Sequence, residues 1–139
     1  MKTNLHLTFQ GGRCADAFAF YERIFRVAIL MSMAYRDAPP EMQARIAPEM
    51  LDKVMHCAMP LGSMVLMGCD APPDHTKHIG GFQISVDMPD EAEVRRVFAG
   101  LSEGGSVQMP LGPTFWSPLF GMCTDKFSVA WMVSVPGAM

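Results

Sequence analysis

Residues 113–132 read PTFWSPLFGMCTDKFSVAWM, and this stretch decides the fold. Two tryptophans and three phenylalanines fall within its twenty residues. Apolar and aromatic residues on both sides of Asp125–Ser128 predict two short strands joined by a tight turn. A strand–turn–strand this apolar must be buried against a concave partner surface, which the rest of the chain has to supply.

Immediately upstream, Val107–Leu111 predicts another strand, with the following ones expected at about Ser117–Thr124 and Val129–Val135. Val94, Val97, Phe98 and Leu101 stand at i, i+3, i+4 and i+7, the stripe of an amphipathic helix. Asp87 is its expected cap, with Pro89 in the first turn, and Gly81–Val86 alternates as a strand before it. The N-terminal half runs in the same order. Leu5, Leu7 and Phe9 alternate with His6 and Thr8, and Gly11-Gly12 ends that strand. Cys14, Ala17, Phe18, Tyr21, Ile24 and Phe25 form a helical stripe. Val27–Tyr35 predicts a strand, and Val54–Met59 with Ser63–Cys69 a hairpin. Between them Arg36–Lys53, with its three prolines, reads as an excursion holding a short helix around Glu41–Ile46. Residues 70–80, rich in Pro and polar residues, cannot extend a sheet and form the expected linker.

One supersecondary unit therefore occurs twice, in modules at about 1–69 and 81–135, as duplication produces. Neither half can cover its own apolar face, so the two are expected to pair their sheets into one cup. With the aromatic stretch 113–132, and with Gly11-Gly12 leading into a helix that carries Phe18, Phe20, Tyr21, Ile24 and Phe25, the chain resembles the PhnB-like branch of the vicinal-oxygen-chelate (glyoxalase, bleomycin-resistance and dioxygenase) superfamily. The resemblance implies an α+β fold in which two βαβββ modules form curved mixed sheets around a ligand cavity, within a single domain spanning 1–139. Relatives usually carry Gly where Ser128 stands and Gly-Gly where Arg26-Val27 stand.

Bulk properties agree with a small globular binder. At 139 residues, half hydrophobic and 18% charged, the chain is one domain's length and too apolar to be disordered. A net charge of −3 and the lack of any Lys/Arg run argue against nucleic acid. No apolar run approaches the ~18 residues of a membrane span, and Lys2–Gln10 has no apolar leader core, so a cytoplasmic protein is expected. Cys14, Cys57, Cys69 and Cys123 form no C-x-x-C pair and read as buried free thiols rather than a zinc or redox motif. Fourteen methionines, many in strand-like runs, suit an adaptable apolar surface or core filling.

Metal-dependent relatives, by the resemblance, hold their ion with four His or Glu ligands on four strands. The matching positions here are His6, Leu66 or Met67, Gly81 and Met132. Only His6 is a nitrogen or oxygen donor, so no metal and no cofactor is expected. His6 is the one candidate for catalysis, as a general base or ligand-orienting group, and could equally be a hydrogen-bonded residue lining the cup. His56, between apolar neighbours, reads as half-buried; His75 and His78 read as solvated loop residues despite their H-x-x-H spacing. Phe115-Trp116 stands at the expected rim. The expected ligand-binding set is His6, Thr8, His56, Gln83, Phe115, Trp116 and Met132. No Walker or G-x-G-x-x-G sequence supports the methyltransferase label that the PhnB-like family often carries. Three functions remain: a small-molecule binder without a complete metal site, a divergent glyoxalase- or dioxygenase-like metalloenzyme, and a drug-sequestering resistance protein. The partners expected are an unidentified small molecule and a second copy of the chain.

Overall fold

The computed structural model describes residues 1–72 and 78–137, and the chain divides into two compact units, Met1–His78 and Ile79–Met139. Unit 1 runs β1 (Leu5–Phe9), α1 (Cys14–Phe25), β2 (Met31–Ala34), a short helix α2 (Pro40–Gln43), β3 (Val54–Leu61) and β4 (Met64–Asp70). Its sheet has the order β1-β4-β3-β2, with β1 parallel to β4 and the other pairs antiparallel. Unit 2 runs β5 (Ile84–Asp87), α3 (Glu91–Ser102), β6 (Ser106–Gly112), β7 (Phe120–Thr124) and β8 (Ala130–Ser134). Its order, β5-β8-β7-β6 with β5 parallel to β8, repeats that of unit 1. The chain is thus α+β, built from two four-stranded mixed sheets, each with its own helix.

Each helix covers one face of its own sheet. In unit 1 the buried residues Leu7 and Phe9 lie on the α1 side, Phe9 meeting Phe18 edge-on at 6.5 Å between ring centres. α1 buries Cys14, Ala17, Phe18, Tyr21 and Ile24 as the stripe requires, but Phe20 is buried where Phe25 was expected and Phe25 is only half-buried. α3 buries the predicted Val94, Val97, Phe98 and Leu101. A glycine makes each close contact possible. A Cβ at Gly68 of β4 would stand 2.6 Å from the Phe18 ring, and one at Gly121 of β7 would stand 2.8 Å from the Phe98 ring.

Several boundaries differ from the sequence reading. β2 begins at Met31 rather than Val27, because Arg26 closes α1 in a left-handed conformation (φ 55°) and the next residues serve the helix end. The Val27 N–H donates to the Glu22 carbonyl and the Ile29 N–H to the Glu22 carboxylate, at 3.3 and 2.7 Å. Asp87 does not cap α3; it ends β5 and accepts from the Ser134 hydroxyl at 2.9 Å. The cap is Asp90, whose side chain accepts from the Glu93 N–H at 2.9 Å. β7 starts at Phe120, not Ser117, since the Ser117 hydroxyl lies 2.9 and 2.6 Å from the carbonyls of Leu119 and Val135 and holds the chain in a turn.

Asp70, read from sequence as the first linker residue, is the last residue of β4 and only 1% exposed. Its two carboxylate oxygens accept from the N–H groups of Cys14, at the start of α1, and Val54, at the start of β3, both at 2.9 Å. Its carbonyl accepts from the Tyr35 hydroxyl at 2.7 Å. In unit 2 the buried Asp125 opens the expected β7–β8 turn. It accepts from the N–H groups of Phe127 and Val129 at 2.8 and 3.1 Å, and from the Trp131 indole at 2.9 Å. The turn closes with Ser128 at φ 71°, so serine adopts the left-handed conformation that glycine would take more easily.

Candidate functional site

The face of the unit 1 sheet turned away from α1 follows from strand alternation. Opposite the buried Leu7 and Phe9 stand His6 and Thr8, both exposed. Register then places their neighbours. His6 pairs with Met67, Met67 with Ala58, and Ala58 with Met31; Thr8 pairs with Cys69, and His56 with Met33. The His6 and His56 rings approach to 6.2 Å between centres, their planes 18° apart. Partial burial, and secondarily the His56 imidazole, push the His6 pKa below the ordinary histidine value. The Cys69 thiol lies 4.0 Å from the Thr8 hydroxyl, and burial pushes its pKa up. The only charged residue on the four strands is Asp70, and its carboxylate turns to the α1 side. This face therefore presents two imidazoles and a hydroxyl among thioethers, without a formal charge from its own strands.

In unit 2 the corresponding row is Ser85, Met132, Met122 and Met109, one residue from each strand. Gly121, beside Met122, faces Phe98 of α3, so these methionines lie on the opposite face. Gln83 is exposed and precedes β5, which begins at Ile84, so the residue of this strand beside Met132 is Ser85 rather than Gln83. Phe115 and Trp116 occupy a turn between β6 and β7. There the Trp116 and Ser117 N–H groups donate to the Thr114 hydroxyl oxygen at 3.3 and 3.0 Å. Phe115 is 90% exposed; Trp116 packs edge-on against it and against Phe120, at 4.7 and 5.3 Å.

Of the expected site residues, unit 1 brings together His6, Thr8 and His56, and unit 2 holds Gln83, Phe115, Trp116 and Met132. His78 is exposed; His75 lies outside the described residues. Met67, Met109 and Met122 join these faces through register, which single-strand alternation does not supply. For Met67 the sequence carried two signals, its match to a family ligand position and its pairing with Met64; Met109 and Met122 stand singly and carried none.

A family model described as the Glyoxalase/Bleomycin resistance protein/Dioxygenase superfamily matches residues 4–133. The chain belongs to this superfamily. It is 30% identical over 141 residues to protein YjdN of Escherichia coli (strain K12), covering 97% of this chain and 95% of that protein. The crystal structure of protein PA1353 from Pseudomonas aeruginosa is 38% identical with a TM-score of 0.84, covering 97% and 98% of the two chains. A PhnB protein from Bacillus cereus, 24% identical, shares the fold with a TM-score of 0.78 and covers 97% and 99%. A protein named PhnB is thus among the solved structures that share this fold.

Metal-dependent members make the donor set a question of fit. Leu66 is fully buried, which leaves Met67 as the position beside His6; Gly81 lies ahead of β5, and Met132 pairs with Ser85. Glycine and thioethers do not serve a divalent ion that needs nitrogen or oxygen donors. Among the described residues no three His, Cys, Asp or Glu side chains gather so as to hold a metal. These residues do not fit a four-ligand divalent centre.

Proposed function

We propose that this chain is a small-molecule-binding protein that selects its ligand by shape, apolar contact and a few uncharged polar groups, without a complete divalent metal site. The observation that carries this reading is the open face of the unit 1 sheet, where His6, His56 and Thr8 are set among Met31, Met33 and Met67 with no charged side chain. Apolar walls with a small number of placed polar groups are the usual composition of ligand sites, and methionine adapts its shape to the occupant. A cationic drug would call for carboxylates, which this face lacks, so sequestration of such a drug is the weaker reading. The residues proposed to meet a ligand are His6, Thr8 and His56 on unit 1, and Gln83, Phe115, Trp116 and Met132 on unit 2.

The test is a thermal-shift and NMR screen of neutral, anionic and cationic compounds with apolar bodies. Neutral or anionic hits that move the His6 and His56 ring signals support the reading; hits confined to cations overturn it. Metal analysis of protein purified without an affinity tag is the companion measurement. Stoichiometric zinc, nickel, iron or manganese, lost in His6→Ala, would establish the metalloenzyme reading instead.

A two-fold homodimer is part of the proposal. Leu30 and Met31 near one end of the first sheet, Val107 and Met109 on β6, and Phe115 are large apolar side chains 39–90% exposed. A single monomeric species in sedimentation at micromolar concentration would refute it. No helix among the described residues is long and apolar enough to cross a membrane. A cytoplasmic location is proposed from the four free cysteines, which suit a reducing compartment.

A further inference from the structure

We infer that Ser117 and Gly137 are positioning residues, through which the segment after β8 sets the Phe115–Trp116 turn where it can meet a ligand. This rests on the reading above that the two aromatics are ligand contacts. The pairing of β7 with β8 continues past the strands. Phe120 stands opposite Ser134 in register, and beyond them the Val135 N–H donates to the Leu119 carbonyl at 3.0 Å. Pro136 has no N–H with which to extend this ladder. The Ser117 hydroxyl takes over, 2.6 Å from the Val135 carbonyl in a residue only 4% exposed. Gly137 then lies so close to the Trp116 backbone that a Cβ there would stand 1.6 Å from the Trp116 carbonyl oxygen. Any larger residue at 137 forces the two segments apart.

The turn is also closed from within. The Thr114 N–H donates to the Ser117 carbonyl at 2.9 Å, and the Trp116 and Ser117 N–H groups donate to the Thr114 hydroxyl oxygen. A turn closed in this way moves as one body, so the segment after β8 decides where it stands. Trp116 packs against Phe120, which by alternation shares the methionine face of unit 2 with Met122. A connection between two strands needs no aromatic side chain in solvent. Yet these bonds fix the backbone that carries Phe115, 90% exposed, and Trp116, 36% exposed. Aromatics held in place before binding lose little freedom when a ligand arrives.

The experiment labels the full chain with 5-fluorotryptophan and titrates it with 1-anilinonaphthalene-8-sulfonate, an anionic dye with an apolar body. The two tryptophan signals are assigned with Trp116→Phe, and the fully buried Trp131 is the internal standard. Gly137→Ala should move the Trp116 signal and leave the Trp131 signal in place. It should weaken dye binding by roughly 10-fold, as Trp116→Ala should. Ser117→Ala, which unpairs the Val135 carbonyl, should act in the same direction. Gly112→Ala should change neither readout, because a Cβ there meets nothing within 4 Å. General loosening gives another pattern: both tryptophan signals move and dye binding rises, since a loosened core takes up this dye. That pattern overturns the inference. So does a Trp116 signal that stays still in Gly137→Ala, or one that moves while Gly137→Ala keeps the affinity that Trp116→Ala loses. If Trp116→Ala binds the dye as the parent does, or the parent binds none, the reading of the aromatics as ligand contacts fails and this inference with it.

Discussion

Replacing Asp70 by Ala should be the most damaging single polar substitution in unit 1. Asp70 carries no direct role in the proposed site; it joins the start of α1 to the start of β3 through the Cys14 and Val54 N–H groups, each at 2.9 Å. Both donors are buried and both would lose their acceptor. An orphaned buried donor costs about 1–3 kcal/mol, so the pair sums to roughly 2–6 kcal/mol. That is a large share of the about 5–15 kcal/mol that stabilises a typical domain. Asp70→Asn keeps one acceptor oxygen and turns an amide N–H₂ toward the other donor, so it should cost about half as much. Urea unfolding gives the totals, and backbone hydrogen exchange localises them. The Cys14 and Val54 amides should lose protection while the Trp131 amide in unit 2 keeps most of its own. An Ala variant within about 1 kcal/mol of the parent, or equal losses for Asn and Ala, would refute the account of two separate hydrogen bonds.

Among the described residues, the two non-glycine residues at positive φ, Arg26 and Ser128, should be improvable. Arg26→Gly and Ser128→Gly relieve left-handed backbone worth about 1–2 kcal/mol and add chain entropy worth about 0.4–1. Each should therefore raise stability by up to about 1.6 kcal/mol, and a lower urea midpoint would contradict this. Gly68→Ala should lose about 1–3 kcal/mol in the same assay, because its Cβ would stand 2.6 Å from the Phe18 ring; a neutral result would mean that α1 shifts freely. The His6 ring should titrate below the ordinary histidine value by NMR, and His56→Ala should move it part of the way back. Since the folded chain holds this proton less tightly than the unfolded one, His6 should favour folding fully above about pH 6.5. That contribution erodes as the pH falls toward the lowered folded value. An unshifted His6 titration would remove the basis of this expectation.

The duplication and both helical faces were legible because they rest on periodicity, which a single segment carries within itself. The position of His6 and Thr8 opposite α1 followed from alternation along five residues. What sequence could not show depends on pairing between distant segments. Asp70 looked like a loop residue because a Pro-rich stretch follows it, yet its acceptors serve donors 16 and 56 residues away. The choice of Met67 over Leu66 beside His6 came only from the parallel register of β1 and β4. The misplaced cap of α3 has a local cause: Asp87 and Asp90 both precede the helix, and Asp87 is occupied by Ser134 of β8. Gln83 failed as a strand residue because pairing with β8 begins one residue later, at Ile84.

The two helices also differ in when they can form. α3 brings its own cap, since Asp90 reaches Glu93 only three residues away. α1 borrows its cap from Asp70, and Arg13 at its N-cap position makes no side-chain bond of that kind. α1, made before α3, must therefore wait for the end of the fourth strand before its N-terminus is anchored, and it bears the entropy of closing that long loop. The later helix can nucleate within its own turn. Refolding should reverse the order of synthesis, with α3 amides protected ahead of those of α1 in pulse-labelled hydrogen exchange. Simultaneous protection of both helices would show that the caps do not set the sequence of events.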